Sequence, residues 1–222
     1  MRPLTTPNLR GQAVEMLRAS IVAGELEPGE IYSAPALAER LGVSATPVRE
    51  AMLDLVNDGL VEPVRNRGFR VVVVDEDALD EISELRQMLE VPAMMNVVAR
   101  AGDEELEALF AKVDRIEAAA QSSDAAEFLF ADRDLHLSLL ALGGNARLVR
   151  LVGQLRNQTR LAGIKVLAES GQLMASALEH RPILEAVCRR DAESAQALMR
   201  AHLNYTRELS AGRLPAGLAV GS

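Results

Sequence analysis

The sequence predicts a mainly α protein: an N-terminal winged helix-turn-helix followed by a C-terminal all-α bundle of about six helices. Three observations carry that expectation. Apolar residues recur at helical spacing along nearly all of the 222 residues. The stretch that departs, residues 60–74, is Val-rich and folds around a turn containing Asn66 and Gly68. Hydrophobic residues make up 49% of the chain while Trp is absent and aromatics reach only 3%. The core must therefore be Leu, Val, Ala, Ile and Met, a mixture that suits closely packed helices.

The first helix is expected over about residues 8–23, with Val14, Leu17, Ile21 and Val22 along one side. Gly24-Glu25-Leu26-Glu27-Pro28-Gly29 breaks it. A short helix over residues 35–41 is stopped by Gly42. Ser44 is expected to cap the third helix by accepting from its first-turn amides, where Pro47 is tolerated. That helix ends near Gly59. Residues 60–64 and 69–74 then read as two strands around Arg65-Asn66-Arg67-Gly68. Residues 1–75 thus form one domain. Residues 76–210 form a second, helical one, broken at Ala101-Gly102-Asp103, 121–124, Gly143-Gly144-Asn145, 169–171 and Arg190-Asp191. Residues 211–222 read as a flexible tail.

Composition narrows the function classes. Nothing resembles a signal peptide or a membrane span, which points to a cytoplasmic chain. The single cysteine, Cys188, falls in a helical pattern and reads as a small buried or half-buried side chain. Net charge is −8, and residues 1–75 carry eight Arg and no Lys against ten acids, a net of −2. Bulk charge cannot bind nucleic acid here, so a few placed arginines would have to. Ser44, Thr46 and Arg49 lie at the exposed start of the third helix, where a major-groove helix reads base edges and phosphates. Arg65, Arg67 and Gly68 occupy the wing. As isolated features, such spacing and such arginines also suit a packing motif and a solvated surface.

Two constellations mark the helical region. Asp132 and His136, four apart, share a helix face. With His180 and His202, the remaining histidines, they form a plausible ligand set for a divalent transition metal, zinc first and nickel or manganese as alternatives. Each histidine alone reads equally as a surface or hydrogen-bonded residue. Arg86 lies on an inward stripe with Ile82 and Ala93 and needs an anion: a ligand carboxylate, or an inner Glu or Asp. Over residues 145–168 an apolar stripe of Leu148, Val152, Leu155, Ala162 and Val166 is interrupted by Thr159, with Gln158 beside it. Both polar residues are candidates to line a pocket.

The segments Gly24-Glu25-Leu26-Glu27-Pro28-Gly29, Leu37-Ala38-Glu39-Arg40-Leu41-Gly42-Val43-Ser44, Thr46-Pro47-Val48-Arg49-Glu50-Ala51, Gly59-Leu60-Val61 and Asn66-Arg67-Gly68-Phe69 closely resemble the GntR family of bacterial regulators. Residues 76–210 resemble the FCD ligand-sensing domain of its FadR subgroup, through Glu84-Leu85-Arg86-Gln87-Met88-Leu89-Glu90, Asp132-Arg133-Asp134-Leu135-His136, Gly144-Asn145, Glu179-His180 and Ala201-His202. About six helices suggests the shorter, VanR-like variant. The resemblance implies a homodimer on a double-stranded DNA operator and a small carboxylate effector contacted by Arg86. It also implies an ion held by Asp132, His136, His180 and His202. Where the family usually has Arg after the Ser of the reading helix, this chain has Ala45, which implies an altered operator preference. Two rivals stand beside this reading: a metal-dependent hydrolytic enzyme fused to a DNA-binding module, and a regulator whose metal is purely structural.

Overall fold

The computed structural model describes residues 9–22 and 24–211, the side chains of Val22 and residues 160–170 excepted. The expected tail, beyond Ala211, and the outer ends of the first helix at Asn8 and Ala23 lie outside the described residues, as do the side chains of Ala162 and Val166. The chain divides into two compact units, residues 1–73 and 74–222.

In the first unit, helix α1 (Leu9–Val22) packs on α3 (Ala45–Asn57), with α2 (Ala34–Leu41) completing the three-helix core. Ala13, Leu17 and Ile21 meet Val48, Ala51, Met52 and Leu55, which are wholly buried or nearly so. Two ion pairs, Arg10–Asp54 and Arg18–Asp58, bind the outer turns of α1 to α3. Gly42 ends α2 with φ of 67°, a left-handed conformation cheap only for glycine. The expected Ser44 cap is absent: Ser44 lies at the N-cap of α3 in extended conformation, but its side chain makes no capping hydrogen bond. Its exposed hydroxyl is left to other partners. Ser33, unnoticed in the sequence, caps α2 by accepting from Ala36 N.

The expected hairpin forms, with β2 (Val61–Val64) antiparallel to β3 (Gly68–Val71) and Glu62 salt-bridged across it to Arg70. A further strand, β1 (Ile31–Tyr32), pairs with the free edge of β3, giving the order β1-β3-β2. Two residues are too few to show alternation in a sequence, and this strand exists because β3 offers it an edge.

The second unit is the expected helical bundle: α4 (Glu76–Arg100), α5 (Asp103–Gln121), α6 (Ala125–Leu142), α7 (Ala146–Ser170), α8 (Leu173–Leu178), α9 (His180–Cys188) and α10 (Ala192–Ser210). Asp75, Asp124, Asn145 and Asp191 cap α4, α6, α7 and α10 with side-chain acceptors. Among the described residues the bundle has seven helices against the expected six or so, the additional one being the six-residue α8, set off from α9 by a turn at Glu179. That residue keeps helical dihedrals (φ −73°, ψ −22°), and the mark in the sequence is Pro182 in the first turn of α9, whose missing N–H cannot continue α8. Cys188 is exposed rather than buried, on the outward face of the last turn of α9.

Candidate functional site

In the bundle, five helices bring polar side chains into an otherwise apolar interior. Asp132 and His136 sit one turn apart on α6, His180 opens α9 and His202 lies midway along α10. Their nearest ligand-capable atoms all fall within 4.8 Å of one another, and the three imidazoles are buried. The ring centroids of His136, His180 and His202 stand 4.6 to 5.3 Å apart. The four residues singled out by type and spacing therefore meet.

The hydrogen bonds orient the rings. Nδ1 of His180 donates to the Ala177 carbonyl, 3.0 Å away, and Nδ1 of His202 stands 3.0 Å from Glu179 Oε2. For His136, Nδ1 makes no hydrogen bond, and the carboxylate facing it is Glu90 Oε2 at 3.5 Å. Each outer nitrogen thus faces an acceptor, which leaves the Nε2 atoms turned inward, the pattern by which a protein presents imidazole to a metal. Nε2 of His136 and of His202 is buried without any hydrogen-bond partner. Nε2 of His180 lies 3.0 Å from Asp132 Oδ1, so that ring is flanked by a carbonyl and a carboxylate, both acceptors. A ring with one proton satisfies only one of them; the second contact calls for another proton or a cation. Burial, reinforced by Arg156, holds His136 well below its ordinary pKa, and burial with His180 does the same to His202. Neutral rings are the ligand form. The residues fit a divalent ion.

Arg156, on α7, was missed in the sequence. It is buried, donating from Nη2 to Glu90 Oε2 (2.6 Å) and from Nη1 to Asp132 Oδ2 (2.9 Å). It thereby turns Oδ1 of Asp132 toward His180 and His136. Burial alone would raise the Asp132 carboxyl, but Arg156, His136 and His180 outweigh it and hold Asp132 well below the usual range. Glu90 is governed in the same way by Arg156 and Arg86. The signal available was helical phase, since residues 152, 155, 156 and 159 share one face of α7. Glu179 was quoted only as part of a motif; burial pushes its carboxyl up to about 7 against the pull of His180.

Of the two anions weighed for Arg86, the structure supplies the inner one: Nε donates to Glu90 Oε1 at 2.8 Å. Its Nη2 nevertheless remains buried and unpartnered. Arg86, Asp132, Arg156, Thr159, Ser176 and Thr206 contribute polar walls to a cavity of about 50 Å³, closed on its apolar side by Phe128, Leu129 and Leu209. A single water needs only ~10–15 Å³, so there is space for a small ligand. Gln158 is half-buried and is not among those walls, its position on α7 being turned away from the face that carries 152, 155, 156 and 159.

In the first unit, Ser44, Thr46, Arg49, Arg65 and Arg67 are exposed. Arg49 and Arg67 flank a groove between α3 and the wing, together with Ser33, Pro63 and Asn66. Gly68 serves this face structurally. With φ of +134°, its missing side chain is where β1 passes: a Cβ would stand 2.3 Å from the Tyr32 carbonyl oxygen.

Residues 9–71 match the family model for bacterial regulatory proteins, gntR family, and residues 81–205 match that for the FCD domain. The chain belongs to the GntR family. Among GntR relatives, the HTH-type transcriptional regulator YdhC of Bacillus subtilis is 30% identical over 89% of this chain and 88% of its own. The HTH-type transcriptional repressor GlaR of Escherichia coli is 28% identical, with 84% and 89% covered. The solved structure of E. coli McbR/YncC superposes with a TM-score of 0.75 at 26% identity, covering 88% of this chain and 93% of that one. The GntR chain described here is accordingly a DNA-binding transcriptional regulator with an FCD ligand-binding domain, and not an enzyme. No described helix is long and apolar enough to cross a membrane.

Proposed function

We propose that this GntR regulator is a cytoplasmic homodimeric repressor whose grip on its operator is set by a small organic acid bound beside a divalent metal ion. The observation that carries this reading is the inward convergence of three imidazole Nε2 atoms and Asp132 Oδ1, two of those nitrogens being buried without a partner. Asp132, His136, His180 and His202 would hold the ion. When bound, it would supply positive charge and open coordination positions for an anion. Arg156 fixes the rotamer of Asp132, while Ala177 and Glu179 fix two of the rings. Arg86 presents a spare N–H toward the adjoining cavity, which supports a sensing role over a purely structural ion.

In the first unit, Arg49 is placed to contact a base edge or phosphate, Ser44 and Thr46 to contact phosphate, and Arg65 and Arg67 to follow the backbone or minor groove. Two such heads must reach half-sites roughly 34 Å apart. An effector acts only by its different affinity for the DNA-competent and DNA-incompetent states, and a coupling of about 1–3 kcal/mol makes a useful switch. The test is metal analysis of purified full-length protein with operator gel shifts across a panel of carboxylic acids. The expected result is near-stoichiometric metal, lost in His136→Ala, and an acid that weakens the gel shift of the metal-loaded protein alone. Unchanged metal content in His136→Ala and His202→Ala overturns the proposal.

A further inference from the structure

Behind the cavity at Asp132 lies a second, smaller one of about 10 Å³, enclosed by Leu79, Ser83, Arg86, Thr159, Leu203 and Arg207. Arg86 and Thr159 are walls of both. Two guanidinium groups meet at the smaller space, and each is short of an acceptor. Arg86 spends Nε on Glu90, and its Nη2 is buried and unpartnered. Arg207 of α10 spends Nε on Asp80 Oδ1 (2.7 Å) and Nη2 on the Glu76 carbonyl (3.3 Å), and its Nη1 is buried and unpartnered. Both side chains are more than nine-tenths buried. Thr159 Oγ1 gives its proton to the Leu155 carbonyl, so it can only accept from a ligand.

We propose that the effector is a small dicarboxylate, one carboxylate seated beside Asp132 and Arg156 and the other received by Arg86 Nη2 and Arg207 Nη1. This rests on the effector reading above and narrows it. Buried N–H groups without acceptors are costly and rare, and two on one wall ask for a group with several lone pairs. A carboxylate offers about four, and an amide or hydroxyl fewer. The smaller cavity has room for about one ligand oxygen, which suits the end of a ligand rather than its body.

The test is calorimetric titration of metal-loaded full-length protein with acid pairs of equal chain length: propionate against malonate, butyrate against succinate, pentanoate against glutarate. At least one dicarboxylate is expected to bind about tenfold or more tightly than its monocarboxylate partner, the scale of a charge-assisted contact. In Arg207→Met that ratio is expected to collapse to near one. Arg207→Lys, which keeps the charge beside Asp80 but withdraws the second guanidinium nitrogen, is expected to reduce it in part and guards against a folding defect in Arg207→Met. Equal affinities within every pair overturn the inference while leaving the effector reading intact. So does a ratio unaltered in both Arg207 variants, which would make the small cavity a water site. Absence of binding by any acid overturns both.

Discussion

The two units of this regulator spend charge in opposite ways. In the first, the arginine, serine and threonine side chains assigned to DNA are exposed, and the ion pairs between α1 and α3, Arg10–Asp54 and Arg18–Asp58, keep partial contact with water. In the second, Arg86, Glu90, Arg156, His136, His180 and His202 are buried, and most of their pKa values are displaced by burial and by one another. The contrast follows from the partner each unit meets. A polyanion is met on the outside, where water solvates free arginines at little cost. The small anion proposed for the second would be drawn from water into an enclosed site, which requires binding groups that are pre-aimed and mutually neutralised.

Breaking the buried network is expected to have the largest effect. Arg156→Met leaves Glu90 and the outer oxygen of Asp132 without their shared cation, and a loss of about 3–5 kcal/mol in unfolding free energy is expected, measured by denaturant titration. A change below about 1 kcal/mol would mean that the network is not structurally coupled. Metal removal comes next. At free metal near 1,000 times its Kd, binding stabilises by about 4 kcal/mol, so a chelator is expected to lower the melting temperature of the wild type clearly. It is expected to do so far less in His202→Ala, and an equal drop in both would relocate the ion.

Substitutions in the first unit sharpen the other side of the comparison. Gly68→Ala drives a methyl into the β1 backbone and is expected to cost about 1–3 kcal/mol with loss of operator binding, read by circular dichroism and gel shift. Arg49→Ala is expected to cost about 1–3 kcal/mol of operator affinity while the unfolding midpoint stays within experimental scatter. Equal operator affinity would displace α3 from the groove. The smallest effect is expected for Glu62→Gln, which removes an exposed cross-strand pair worth less than about 1 kcal/mol.

What could be read in the chain follows the same division. Helix-turn-helix and wing were visible because their information is local: Gly42 at a left-handed stop, Val48 and Ala51 against Ala38, an Asn-Gly turn between Val-rich runs. The cluster of Asp132 with three histidines was visible because histidines are few and Asp132 and His136 lie one helical turn apart. Arg156 was passed over although helical phase turns it inward, and Arg86 was seen to need an anion without Glu90 being picked out, since periodicity says that a side chain points inward and not what it meets there. The turn at Glu179 was legible too but was passed over: Pro182, in the first turn of α9, is its signal.

By itself, then, the order of residues determined most of the secondary structure, the division into a reading head and a helical bundle, and which side chains were chemically able to bind DNA or a metal. Hydrophobic period, caps and turn chemistry act over a few residues and leave their mark in a linear string. Only the tertiary structure decided which charges neutralise each other, which nitrogens are left facing inward, and where Arg207 meets Arg86. Those depend on the crossing of helices whose residues lie from 24 to more than a hundred positions apart, distances that packing closes and no local pattern encodes.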